Sequence, residues 1–350
     1  MTLSAPLVRA LRWQAEGCRK LGSPFGGLLL DLAADGAFGD IAPFFERWRD
    51  ADLEAHVRDA TPLRFMGALH HLVLTGAEPG LAAQFPAARP LADEASLAAA
   101  ARETLIRRRD HVLAFMASPP QTNEVGRSFA LAPGFMVVAA ATGLPLALRE
   151  IGSSAGLNLR FDRYRYDFGG RPWGEDDSPV LIANDWRGAP PPLRPLTVID
   201  RAGCDQAPVD VRDEAQAMRL QAYVWADQPA RLGRLRGAIA VARDTPAELV
   251  RADAAAWTAS HLSPRPGVAS VLFHSVMWQY MPPATQAAVR SAIETAGAAA
   301  RADSPVAWLR MEPDPASADL PMELRLTLWP PGGEQRLATV HPHGAWVNWR

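Results

Sequence analysis

The chain has 350 residues, with 36 basic against 38 acidic side chains and only two cysteines, Cys18 and Cys204. Charge so nearly balanced excludes a nucleic-acid or acidic-lipid partner held by bulk electrostatics, and two distant cysteines exclude a disulfide framework or a zinc knuckle. The length is enough for two domains, each with its own core. No charged segment followed by a sustained apolar region opens the chain, and no stretch approaches the roughly 18 apolar residues that span a bilayer, so a soluble, cytoplasmic protein without a membrane partner is expected.

Residues 1–121 read as an all-helical domain. Leu7, Leu11, Cys18 and Leu21 fall near helical spacing, as do Leu63, Met66, Leu69, His70 and Val73, with breaks at Gly22-Ser-Pro24, Gly36 to Gly39, Gly76 to Gly80, Phe85-Pro86 and Ser118-Pro-Pro120. A long helix is expected from about Asp93 to Ala117, with Arg107-Arg-Arg109 on a solvated face rather than in a nucleic-acid patch. His70 and His71 are adjacent on a helix and diverge too far to chelate one ion, so both are expected to be structural.

The polar run Thr122-Asn-Glu-Val-Gly-Arg-Ser128 precedes an apolar helix, Phe129 to Thr142. Asn123, Glu124 and Arg127 could face the cleft between domains, or Asn123 or Thr122 could serve as an ordinary helix N-cap. Leu146-Ala-Leu-Arg-Glu-Ile151 then reads as a strand ending in the small-residue turn Gly152-Ser-Ser-Ala-Gly156, which opens what reads as a helix. A dinucleotide fingerprint fails here, because counting from Gly152 its second and third glycine positions hold Ser154 and Leu157.

The spacing that fits is E-x-G-x-G-x-G, read as Glu150, Gly152, Ser154 and Gly156 with serine in the middle position. It resembles motif I of the class I S-adenosylmethionine (SAM)-dependent methyltransferases. The resemblance implies that Glu150 helps hold the methionine end of the cofactor. The turn residues Gly152, Ser153, Ser154 and Gly156, with Asn158, would admit its close approach.

After Asn158, Tyr164, Tyr166 and Phe168 alternate with Arg163, Arg165 and Asp167, and Gly169-Gly170 supplies a turn, so a hairpin insertion is expected at about 161–195. Aromatics interleaved with arginines can also stack on single-stranded nucleic acid, a minor reading given the balanced charge. Leu196 to Asp205 reads as the second strand. Its ending, Gly-x-Asp205-x-x-Pro208, resembles the methyltransferase motif II, which implies that Asp205 accepts both ribose hydroxyls. Two helices follow, about Asp213 to Trp225 and Pro229 to Ala242.

Ala247 to Trp257 resembles the third strand and its acidic turn, which assigns Asp253 and Ala254 to the adenine edge, although Asp253 can equally be an N-cap. Val268 to Met281 reads as the central fourth strand. By that resemblance Ser275 meets the cofactor, Trp278 the acceptor, and His274, Tyr280 and Glu124 are the catalytic candidates, with Asn123 and Arg127 binding substrate. A lone His on an apolar strand is also a common core group. A helix from Pro282 to Ala302, a strand from Val306 to Glu312, and alternating strands from Leu320 to Trp329 and Arg336 to His341 complete the pattern. His341 and His343 would share one side of a strand, but no third ligand accompanies them, so no metal site is assigned.

Residues 122–350 are therefore expected to form an α/β, Rossmann-like class I methyltransferase sheet with a closing antiparallel hairpin, preceded by the helical domain as lid or acceptor wall. The implied activity is methyl transfer from SAM, with S-adenosylhomocysteine as product, to a small-molecule acceptor. The alternative is a SAM-binding or S-adenosylhomocysteine-binding protein of the same fold without transfer. The whole chain, with Thr122 to Ser128 before the first strand and Arg201 to Asp210 after it, also resembles the uncharacterised bacterial DUF2332 family, which implies no substrate.

Overall fold

A computed structural model describes residues 3–86, 93–314 and 321–350. It divides into two compact units, residues 1–122 with 213–232, and residues 123–212 with 233–350.

In the first unit, the polar punctuation of the sequence starts the helices. Ser4 accepts the Leu7 amide to cap Ala5–Lys20, and Ser23 accepts the Gly26 amide to cap Pro24–Ala34. Thr61–Leu74 runs through the centre, where Phe65 packs against Phe38, Phe44 and Phe45 at ring separations of 6.4, 6.4 and 5.4 Å. Each such fully buried ring contributes about 1.5–3 kcal/mol.

The segment 213–232, expected from the sequence in the α/β domain, packs instead in this helical unit. Its Asp227 accepts the Ser23 hydroxyl at 2.6 Å and the Phe25 amide at 2.9 Å, while Ala222 and Tyr223 enter the core. His70 bonds the Ala222 carbonyl through Nδ1 at 3.1 Å, and His71 packs on His111 and Phe115, so both histidines are core groups.

The single long helix expected over 93–117 is two, Glu94–Arg107 and Arg109–Ala117, broken at Arg108. The physical reason is the buried carboxylate of Glu78, which accepts from Arg107 at 2.8 Å and from Arg108 at 2.7 Å. Two arginines adjacent in sequence reach one carboxylate because the helix turns out of register between them. Two of the three residues of the arginine run are thus paired rather than simply solvated.

In the second unit the described residues form twelve strands. They are β1 (Leu146–Ile151), β2 (Arg165–Asp167), β3 (Pro172–Gly174), β4 (Leu181–Ile182), β5 (Asp185–Gly188) and β6 (Val198–Asp205). Then come β7 (Glu248–Arg251), β8 (Ala269–Ser275), β9 (Val306–Pro313), β10 (Met322–Trp329), β11 (Gly333–Val340) and β12 (Trp346–Trp349). Leu320, the expected start of β10, lies outside the described residues.

Nine of these strands make one sheet in the order β5-β12-β11-β10-β9-β8-β1-β6-β7. From β7 to β9 all neighbours are parallel; β10, β11 and β12 follow antiparallel, and β5 pairs parallel to β12. Every residue of β1 and β8 is buried, as strands covered on both faces must be.

Alternation distributes the side chains of β8 and β9 to two layers. Leu272, Val306 and Trp308 pack with Trp257, Val289 and Ile293 of helices Ala254–His261 and Pro283–Ala298. On the other face Phe273 meets Phe135 edge-on at 5.0 Å and Leu309 lies against Gly134, both from helix Ser128–Thr142. Contrary to the sequence reading, residues 125–142 are long and apolar enough to cross a bilayer. However, 67% of that stretch is buried inside the protein, where it forms a core helix on the sheet.

The expected hairpin forms between β2 and β3. Its aromatic side is not a stacking surface: Tyr164 and Tyr166 are fully buried, and their hydroxyls donate to the carbonyls of Leu157 at 2.6 Å and Phe161 at 2.7 Å. The insertion is also not separate, because β5 joins the edge of the main sheet.

Hydrogen bonding from Arg107 holds the Glu78 carboxyl below the ordinary range. Its stabilisation is present above about pH 4.3, the unfolded value, and is lost as pH falls through the depressed folded value. Glu78→Gln is expected to lose about 1–3 kcal/mol at neutral pH in urea denaturation. The gap to the unmodified protein should close as the pH is taken below 4.3, roughly.

Candidate functional site

The chain runs outward from β1 through β6 to β7, then returns to β8 on the other side of β1 and continues to β9. Strand order therefore reverses between β1 and β8, and the crevice beyond the carboxyl ends of two such strands is where open α/β sheets bind ligands. The loops after these strands meet there: a Cβ at Gly152 would lie 2.9 Å from the Met277 side chain, and Gly152 has φ +65°. Glycine is thus needed twice over, for conformation and for space. Val276, directly after β8, has φ 53°, which a β-branched residue adopts only under constraint from its surroundings.

The turn after β1 is braced from several directions. Asp205, at the end of β6, accepts the Ser154 amide through Oδ2 at 2.9 Å and the Ala207 amide through Oδ1 at 2.8 Å. Asn123 accepts the Leu157 amide at 2.8 Å, so it pins the turn rather than capping the apolar helix. Arg160, buried, donates to the carbonyl oxygens of Gly156 at 2.7 Å and Thr245 at 3.0 Å. Ser153 donates its amide to Cys204, and Gly156 donates its own to Ser153. Four turn amides are thus committed within the protein.

The expected α-helix after the turn is instead a 3₁₀ segment, Leu157–Arg163, kinked at Arg160. The turn therefore presents no α-helix N-terminus to a phosphate, which agrees with the failure of the dinucleotide pattern.

Side chains of the same turn are left unsatisfied. Glu150 Oε2, Ser153 Oγ, Ser154 Oγ and Asn158 Nδ2 are buried without a hydrogen-bond partner, although Asn158 Oδ1 accepts the Ser128 hydroxyl at 2.7 Å. Buried polar atoms without partners are uncommon, because each forfeits about 1–3 kcal/mol of desolvation. Burial pushes the Glu150 carboxyl well above its usual range; Asp205 adds to the shift, while Arg160 and Arg127 oppose it.

The other expected site residues are placed as follows. Arg127 donates to the Pro342 carbonyl at 3.0 Å and the Ser275 carbonyl at 3.1 Å, tying down the end of β8. Glu124 is buried and accepts the Gly126 amide at 2.9 Å. Asp253 is the N-cap of Ala254–His261, accepting the amides of Ala255 and Ala256, and Ala254 begins that helix. Tyr280 is 73% exposed.

His274, expected as a proton acceptor, is fully buried and committed at both ring nitrogens. Nε2 accepts the Trp308 indole N–H at 3.1 Å, so Nδ1 carries the proton and donates it to Glu312 Oε1 at 2.6 Å. No lone pair remains for a substrate, and its action is to orient Glu312. Sequence reasoning missed Glu312, Arg160 and Trp308; Glu312 was legible only as an acid at the tip of an apolar strand.

His341 and His343 lie in the turn after β11 rather than on a strand, and the His343 amide donates to His341 Nδ1 at 3.1 Å. Among the described residues, no three metal-binding side chains gather. Burial raises the free thiols of Cys18 and Cys204 to about 11 and about 12, so neither is a nucleophile at neutral pH.

These features define a mixed α/β protein: a helical N-terminal part, and a large, mostly parallel sheet with a polar turn at its order reversal. The chain belongs to the family of uncharacterised proteins conserved in bacteria described as DUF2332, whose family model matches residues 8–349. No curated protein and no solved structure matches it.

Because the folded state raises the Glu150 pKa, unfolding above about pH 4.3 releases a proton and is favoured as pH rises towards the folded value. Glu150→Gln removes that penalty. The variant is expected to be more stable than the unmodified protein, by a margin growing about 1.4 kcal/mol per pH unit across this window. Thermal melts from acid to neutral pH would read it.

Proposed function

We propose that the chain is a SAM-dependent methyltransferase acting on a small-molecule acceptor, with its cofactor in the crevice beyond β1 and β8. The observation that carries this reading is the set of unsatisfied buried polar atoms from Glu150 to Asn158, grouped on the turn whose spacing resembles motif I. A ligand with hydroxyl, amino and carboxyl groups but no phosphate suits them, because they are side-chain groups and the neighbouring amides are spent.

The sulfonium of SAM, when bound, supplies a methyl group already activated for transfer. The chain's own task is then orientation and exclusion of water. Each Asp205 oxygen, after accepting one amide, keeps a lone pair for a ribose hydroxyl. Glu150, whose carboxyl burial raises above its ordinary range, would ionise more readily beside a cationic ligand. Met277 would wall the crevice at Gly152, and Arg127 would position Ser275.

A second reading, SAM or S-adenosylhomocysteine binding without transfer, is favoured by one specific observation. His274, the expected proton acceptor, has both ring nitrogens engaged within the protein. An acceptor that must lose its proton before methylation would find no base there.

Calorimetric titration with SAM and S-adenosylhomocysteine tests both readings. Micromolar binding is expected, about tenfold or more weaker in Asp205→Asn. SAM affinity should rise with pH over the range in which free Glu150 holds its proton, and this dependence should vanish in Glu150→Gln. No binding by the folded protein would sink both readings; binding without methylation of any acceptor in a small-molecule screen would leave the second.

A further inference from the structure

On the face of the sheet formed by β9 and the amino-terminal half of β10, beside the loop after β8, lies a cavity of about 150 Å³ that the cofactor reading does not use. Its walls are the indoles of Trp278 and Trp308, whose ring centres are 5.6 Å apart. Glu312 lies at its edge with only 8% of its surface exposed. Glu312 Oε1 is fixed by His274 Nδ1 at 2.6 Å and the Met277 amide at 3.2 Å, while Oε2 is buried and has no partner. A carboxylate held this rigidly by one oxygen, with the other unsatisfied, on a residue that lines a cavity, is a prepared acceptor for an N–H donor.

The other charges around the cavity are held in ion pairs, three arginines sharing two glutamates. Arg310 pairs with Glu334, and Arg325 with Glu323 and Glu334. Arg336 also holds Glu323. Arg290 is different: its guanidinium lies 5.6 Å over Trp278 and 5.3 Å over Trp308, and no carboxylate among the described residues pairs with it. The cavity therefore offers one carboxylate oxygen without a donor, Glu312 Oε2, and one guanidinium without a carboxylate among the described residues, Arg290, beside aromatic faces that favour a cation.

We propose that this cavity binds a small zwitterion of the α-amino acid class, its ammonium on Glu312 Oε2 and its carboxylate on Arg290. The inference does not rest on the methyltransferase reading. A net anion would leave Glu312 Oε2 without a donor, and a simple amine would leave Arg290 unused; only a ligand with both charges satisfies both ends.

The test is a thermal-shift screen of the purified full chain against each of the twenty common L-amino acids, followed by calorimetry of the one that stabilises most. At least one is expected to bind, while its N-acetylated form and its primary amide should not. Glu312→Gln removes the free acceptor and should weaken binding about 10- to 100-fold. Arg290→Ala, on an exposed helix position that leaves the core intact, should weaken it roughly tenfold.

The proposal is overturned if no amino acid stabilises the unmodified protein, if the N-acetylated form or the amide binds equally well, or if affinity is unchanged in Arg290→Ala. Binding lost in Asp205→Asn would also overturn it, since the ligand would then occupy the crevice after β1, where the methionine end of SAM carries the same zwitterion. Loss of SAM binding with amino-acid binding retained would instead sink the cofactor reading alone.

Discussion

Pairing of β1 along both edges, to β6 on one side and β8 on the other, is the constraint on which the second unit depends. A strand enclosed in this way has no solvent edge and no solvent face, which is why Leu146 to Ile151 are all buried. Its chain must leave abruptly at the carboxyl end. Gly152 makes that exit with φ +65° against the Met277 side chain. The exit turn thus comes to the point where strand order reverses, and Asp205 from β6, Asn123 before the apolar helix and Arg160 after the turn all converge to hold it.

That bracing has an unusual balance. The backbone of the turn is almost wholly satisfied, whereas its side chains are not: Glu150, Ser153, Ser154 and Asn158 each bury a polar atom without a partner. A turn serving architecture alone would be expected to show the reverse, with small apolar side chains and no carboxyl forced from its ordinary pKa. Stability is given up at this turn, since each unsatisfied buried polar atom forfeits its desolvation.

The region beyond β8 and β9 follows different rules. Trp308 holds His274 in one tautomer, His274 holds Glu312, and Glu312 holds the amide of Met277, whose side chain fills the space opposite Gly152. This chain of hydrogen bonds connects the buried centre of the sheet to both the crevice after β1 and the Trp-lined cavity. A substitution at His274 would therefore be felt in both places without that residue touching a ligand, so loss of activity alone would not identify it as catalytic.

Much of this organisation was legible in the residues. Glycine and proline breaks and apolar runs located the helices and the parallel strands, because those signals act within a few residues of themselves. The E-x-G-x-S-x-G spacing singled out the turn, and alternation located the hairpin. Segment 213–232 misled because helical periodicity does not say which core a helix joins; Asp227 and Ala222 decide that through partners some two hundred and one hundred and fifty residues away. His274 misled because a histidine's chemistry depends on what occupies its two nitrogens, and Trp308 and Glu312 reach them only once β8 and β9 lie side by side. The sequence by itself determined which elements form and where the polar turn after β1 lies, since both follow from local propensity and spacing. Only the tertiary structure decided which polar groups are spent and which remain unsatisfied, since a hydrogen bond between distant residues exists only after the sheet has assembled.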